Sequence, residues 1–183
     1  MKKIAPVLAT ALIATTLLST PALSQKADRL TDAGVRQFYA DLPGVFKKPY
    51  PQFLKEYSAR ASDDLQITNK TTVTLPGQPP TQSTEELTKK ELLDGAQQAY
   101  QAASQAKLWN QVITVNIAQD GMTAEVQEIS RIQGMSAPGA DAEHPFMANS
   151  TETCTDHIKL EPGVGIQMVK SECEVSVNVE QKL

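Results

Sequence analysis

Aromatic residues make up only 5% of the 183-residue chain, cysteines and histidines number two each, and the nine glycines are dispersed among turns. Dispersed glycines exclude a collagen-like repeat and a glycine-rich phosphate cradle. His144 and His157 have no zinc-like spacing, and no Ser-His-Asp or Cys-His set is evident, so no metal and no cofactor is expected. Basic doublets are confined to Lys47-Lys48 and Lys89-Lys90, too little positive charge to hold a phosphate backbone, which excludes nucleic acid as a partner. What is present is ordinary globular composition, 40% hydrophobic and 21% charged. With no repeat, low-complexity tract or linker, residues 25–183 form one domain by this reading.

Charge and apolar residues divide the chain at position 24. All 21 acidic residues follow it, whereas Lys2 and Lys3 are two of the 17 basic ones, so residues 25–183 carry a net charge of −6. Acidity of that size favours solubility. The two lysines, the uncharged stretch Ile4 to Leu18 and the small residues around Ala22-Leu23-Ser24 predict a signal peptide over residues 1–24, cleaved before Gln25. Thr15, Thr16, Ser19, Thr20 and Pro21 interrupt the stretch before it reaches the roughly 20 apolar residues of a membrane span. No cysteine follows for lipid attachment, so a periplasmic or secreted protein with no membrane span after signal removal is expected.

Export gives the cysteines a meaning. In an oxidising compartment a pair such as Cys154 and Cys173 is more often a disulfide than a metal or redox site, and neither flank is a CxxC motif. Asn149 to Leu160 and Ile166 to Val179 alternate as strands around the turn Glu161-Pro162-Gly163-Val164-Gly165. Pairing Leu160 with Gln167 carries Ile158 to Val169 and Cys154 to Cys173, which predicts a cross-strand disulfide.

Helices come first. Leu30, Val35, Phe38, Tyr39 and Leu42 recur at helical spacing over Asp28 to Leu42, with Pro43-Gly44 as the stop. A second helix follows Pro49 and Pro51, with Phe53, Leu54, Tyr57 and Ala61 on one face. Leu65, Ile67, Val73 and Leu75 share one parity of a strand, Pro76 to Pro80 turns it back, and Thr81 to Leu87 is a short polar strand. Thr88 and Glu91 form a capping box for a third helix carrying Leu92, Leu93, Ala96, Ala99, Tyr100 and Ala103, with Ser83 and Glu86 as a rival start. Gln111 to Ile117, with Ile113, Val115 and Ile117 on one face, pairs through Asp120-Gly121 with Thr123 to Ile132, and Gly134 to Pro145 is a loop. The expected class is α+β, with N-terminal helices packed on a curved, mainly antiparallel sheet.

That order resembles the nuclear-transport-factor-2-like superfamily, the cystatin-like cone fold that includes ketosteroid isomerases, polyketide cyclases and limonene epoxide hydrolase. The resemblance rests on Phe38 to Leu42 ending the first helix, Asp63-Asp64 entering the first strand, and Asp156 to Leu160 followed by a turn and Ile166 to Val169. It implies a cone-shaped cavity and not an activity, because the fold hosts unrelated functions. At the position matching the isomerase base stands Asn69, whose amide cannot accept a proton. The helical tyrosine falls at Phe38 or Tyr39 and its companion acid near Thr153. For epoxide hydrolysis, Arg131 has the wrong parity.

Apolar parity turns Asn69, Glu128, Asp156 and Ser171 the same way as Ile113, Val115, Val126 and Ile158. Carboxylates on an apolar face are either the polar floor of a ligand cavity or wet groups where the sheet outruns its helices. Tyr39, Tyr57, Tyr100 and Trp109, on or just after the helices, would ring its mouth. Three classes follow: a non-catalytic binding protein for a small apolar or amphipathic ligand, an envelope assembly protein or homodimer using the sheet face, and an enzyme with Glu128 or Asp156 as acid or base. His144 and His157 are solvated by loop position and outward parity. Exported protein is expected to begin at Gln25 on N-terminal sequencing, and a mature chain retaining Lys2 and Lys3 would refute the signal.

Overall fold

Thr31 opens the first helix by accepting a hydrogen bond from the Gly34 N–H at 3.1 Å, one of the donors a helix start leaves without a partner. The computed structural model describes residues 28–103, 106–136 and 146–181, so the signal residues and His144 lie outside the described residues. Helix α1, Asp32–Ala40, buries Val35 and Tyr39 against the sheet. It starts later than Asp28 because the Leu30 N–H is bound to the Gly121 carbonyl at 2.7 Å. Pro43 is not its stop. It lies in the first turn of a four-residue helix α2, Leu42–Val45, where its missing N–H has no helical partner to lose.

Helix α3 spans Tyr50–Arg60 behind Pro49, and Ala61, expected on its buried face, instead begins strand β1, Ala61–Thr74. Strand β2, Thr81–Thr88, follows the proline-rich turn. The Thr88–Glu91 capping box then forms as expected. The third expected helix is two, α4 (Lys89–Asp94) and α5 (Ala96–Ala103), divided at Gly95. Four long strands complete the chain: β3 (Lys107–Ile117), β4 (Thr123–Ser136), β5 (Phe146–Glu161) and β6 (Gly165–Gln181). Strand β4 runs past Gly134, where a loop was expected, and the rest of that loop lies outside the described residues.

The six strands form one sheet in the order β2-β1-β6-β5-β4-β3, antiparallel throughout except for the parallel pair β1 and β6. The class is α+β, with a mixed, mainly antiparallel sheet. Leu30, Val35, Tyr39, Val126, Ile158 and Leu160 fill one core, and Val45, Phe46, Phe53, Ala96 and Ala103 fill another beneath α5. Among the described residues no helix is long and apolar enough to cross a membrane.

Cys154 pairs with Cys173 in register and is bonded to it, with Cα atoms 4.2 Å apart. A closed loop of this length contributes about 3 kcal/mol in the chain-entropy account. The register near the turn differs from expectation by one residue. Leu160 faces Ile166 and Ile158 faces Met168, and Val169 bulges out before His157 meets Lys170. A second bulge corrects the face of β3. Val112 faces Glu128 and Thr114 faces Gln127, which leaves Ile113 between them, 45% exposed, while Val112, Val115 and Ile117 pack on the core. Ile113→Asp is therefore expected to change unfolding free energy by less than about 0.5 kcal/mol. Val112→Asp is expected to cost about 2 kcal/mol or more in urea unfolding, and the reverse order would place Ile113 in the core.

Candidate functional site

Sheet register lines up the concave face in rows. One row runs Ile67, Ser171, Asp156, Val126; the next Asn69, Cys173, Cys154, Glu128; the third Thr71, Val175, Glu152, Ser130. Glu128 is thus the diagonal neighbour of both Asp156 and Glu152, a spacing that side chains of this length bridge. The face is covered by α1 and α3, and between helices and sheet lies a cavity of about 250 Å³. Its walls are apolar, from Phe38, Leu42, Leu65, Ile67, Leu92 and Met168, and its floor carries Tyr39, Asn69, Asn110, Ser171 and the three acids.

The acids are not wet. Asp156 is 1% exposed and Glu128 7%. The Tyr39 hydroxyl donates to Asp156 Oδ2 at 2.7 Å, whereas Oδ1 of the same carboxyl is buried with no hydrogen-bond partner among the described residues. Ser171, opposite Asp156, places its Oγ 3.2 Å from the Cys173 sulfur. Asn110 donates its amide to Glu128 Oε2. Ser150 and Ser130 donate to the two oxygens of Glu152 at 3.2 and 3.3 Å.

Low dielectric pushes all three carboxyls towards the neutral form, and like charge adds to it at Glu128 and Asp156. Burial, then the charges of Asp156 and Glu152, raises Glu128 to about 8 against the opposing amide of Asn110. Burial also raises Asp156, although the Ser171 and Tyr39 hydroxyls favour its charged form, and burial raises Glu152 against its two serines. Tyr39 is raised by burial and by the Asp156 charge, and burial with Glu152 nearby pushes Tyr57 up to about 12. At neutral pH Glu128 can donate a proton.

Six of the expected ligand-binding residues line this cavity: Tyr39, Tyr57, Asn69, Glu128, Asp156 and Ser171. Two do not. Tyr100 packs in an aromatic cluster, its ring centroid 5.0 Å from that of Phe53 and 5.3 Å from that of Tyr50, and donates to the Lys48 carbonyl. Trp109 lies on β3 and not by a helix end, because that strand begins at Lys107; its ring is 46% exposed beneath the Arg131 guanidinium, 5.4 Å away. It borders a second cavity of about 400 Å³ that shares Tyr57, Asn69, Asn110 and Glu152 with the first. Glu152 was missed by sequence reasoning, although it has the parity of Cys154 and Asp156. Arg60 was missed too. It lines the first cavity, stacks 4.4 Å over the Phe38 ring and donates to the Phe38 carbonyl at 2.6 Å.

Cys154, Asp156 and Cys173 lie close enough to suggest a metal group, but both sulfurs are spent on the disulfide. They cannot serve as thiolate ligands.

No protein-family model matches the chain, and none of the curated proteins matches it in sequence. Solved structures do match. A nuclear-transport-factor-2-like protein from Cytophaga hutchinsonii superposes with a TM-score of 0.50 at 13% identity, over 79% of this chain and 98% of that one. The chain has the nuclear-transport-factor-2-like fold. A ketosteroid isomerase-like protein from Erwinia carotovora atroseptica matches at 12% identity and TM-score 0.45, covering 84% of this chain and 97% of that one. A domain with a cystatin-like fold from Nostoc punctiforme matches at 15% and 0.41, covering 84% and 80%. At 13% identity the Cytophaga protein shares the fold with this chain and assigns it no activity.

The raised Glu128 carboxyl makes stability depend on pH. The folded state keeps a proton that the unfolded state releases above about pH 4.5, so stability falls as pH rises until Glu128 ionises near 8 in the fold. The slope for one such group is about 1.4 kcal/mol per pH unit. Urea unfolding between about pH 5 and about pH 8 is expected to show this decline, and Glu128→Gln to flatten it by several kcal/mol. An unchanged slope in the variant would mean that Glu128 is ionised in the fold.

Proposed function

We propose that the protein is an exported, non-catalytic binding protein for a small amphipathic molecule held between the helices and the concave sheet. The observation that carries this reading is the cavity itself: apolar walls around a floor of buried polar groups whose partners leave one carboxylate oxygen unsatisfied. Ligand pockets combine those features, apolar area for affinity and a few fixed polar groups for orientation. Export is supported by the lysine-led apolar N-terminus and by the Cys154–Cys173 disulfide, a bond characteristic of oxidising compartments.

A catalytic reading has one observation in its favour, the Glu128 carboxyl held at about 8, a value suited to a general acid. Against isomerase-type proton transfer stands Asn69, an amide where the resemblance calls for a base. Binding therefore takes precedence.

Native mass spectrometry of protein purified gently from its export compartment is expected to show a mass excess that disappears on denaturation. Independently, an environment-sensitive apolar dye is expected to bind the cavity. Asn69→Trp, which puts bulk where the two cavities meet, is expected to weaken dye binding about tenfold or more, equivalent to about 1.4 kcal/mol, with little change in thermal midpoint. Equal dye binding by the variant would remove the cavity as the site.

A further inference from the structure

The protein groups that touch the three floor carboxyls all offer them hydrogens. Tyr39 donates to Asp156, Asn110 to Glu128, and Ser130 and Ser150 to Glu152. Such surroundings suit carboxylates acting as acceptors, yet among the described residues no positive charge stands with them. Arg60 is the one cation lining the cavity among the described residues, and its guanidinium is already engaged with the Phe38 ring and carbonyl. Asp156 adds a detail of geometry: 1% exposed, on the cavity wall, its Oδ1 makes no hydrogen bond among the described residues, the Ser171 hydroxyl beside it favouring the charged form but lying 3.2 Å from the Cys173 sulfur. A neutral carbonyl ligand would be met there only by a carboxyl that keeps its proton, and would bring no charge to the floor. A protonated amine brings three donors, no acceptor and the missing charge.

Resting on the binding function proposed above, we infer that the cavity takes an organic ammonium ion, a primary amine on a small apolar or aromatic body, with its nitrogen among Asp156, Glu128 and Glu152. The body lies against Phe38, Leu65 and Met168. When the amine enters as its cation, a floor carboxyl that was neutral in the empty cavity ionises and its proton leaves to solvent, so charge balances across the step. The titratable and charged groups facing the nitrogen are Tyr39 from α1, Tyr57 and Arg60 from α3, Glu128 from β4, and Glu152 and Asp156 from β5. None of them other than Arg60 competes with the ligand as a cation.

The test compares three probes of one shape, 2-phenylethylamine, 2-phenylethanol and 3-phenylpropionate, by titration calorimetry at neutral pH in two buffers of different ionisation enthalpy. The amine is expected to bind about tenfold or more tightly than the alcohol, the range for a charge-assisted hydrogen bond, and the carboxylate most weakly. Heat in the two buffers should differ in the sense of a proton released on amine binding. Asp156→Asn is expected to erase the preference for amine over alcohol, with an unchanged far-ultraviolet circular dichroism spectrum showing that the variant is folded. Equal binding of amine and alcohol by the unmodified protein overturns the cation site and leaves the binding function standing. Strongest binding by the carboxylate overturns it as well. Absence of all three overturns the cation site, and the apolar dye then decides the binding function separately.

Discussion

The pairing of β5 with β6, closed by the Cys154–Cys173 bond, is the constraint on which the site depends. Side chains alternate along a strand, so a slip of one residue in that pairing would turn Asp156, Cys154 and Glu152 from the concave face to the outer one. Because β6 also pairs with β1, and β5 with β4, the same register places Asn69 and Ser171 on one side of the acids and Glu128 on the other. The disulfide lies in the middle row of this array, on the cavity wall. It holds the floor in register from within.

Such a floor opposes the fold it belongs to. At neutral pH an unfolded chain would ionise Glu128 freely, whereas the folded chain keeps it protonated to about 8. That difference costs about 3 kcal/mol at pH 7, much the same as the contribution expected of the disulfide. The covalent link offsets that cost, and whatever satisfies the carboxyls stabilises the fold further by mass action.

Much of this was legible in the sequence, for reasons that can be named. The Thr88–Glu91 capping box, the Asp120-Gly121 turn and the opposition of Cys154 and Cys173 are short-range or parity signals, and each is present in the structure. Glu128 and Asp156 stood out because apolar neighbours of the same parity, Val126 and Ile158, marked the face. Glu152 did not, because Asn149 to Thr153 is polar on both parities and gives no contrast. Ile113 was misplaced because a bulge answers the curvature of the whole sheet, to which no local pattern refers. Trp109 shares that cause in part: its strand starts four residues before the alternation of Gln111 to Ile117 becomes clear.

Two of the sheet's bulges also bear on how the site is shaped. Val169 bulges from β6 and Ile113 from β3, so each interrupts the alternation of a strand at a different point along the concave face. A regular sheet would carry the parity of Asn110 through to Thr114 and Asn116, and that of Leu160 onto Gln167. The extra residues instead return Val115, Ile117, Ile166 and Met168 to the core beside Ile158. Bulges increase local twist and bend the strand, and here they set apolar packing around α1 beside the polar rows that line the cavity. The same irregularities that defeat strict alternation in the sequence therefore separate the part of the sheet that holds the fold from the part available to a ligand.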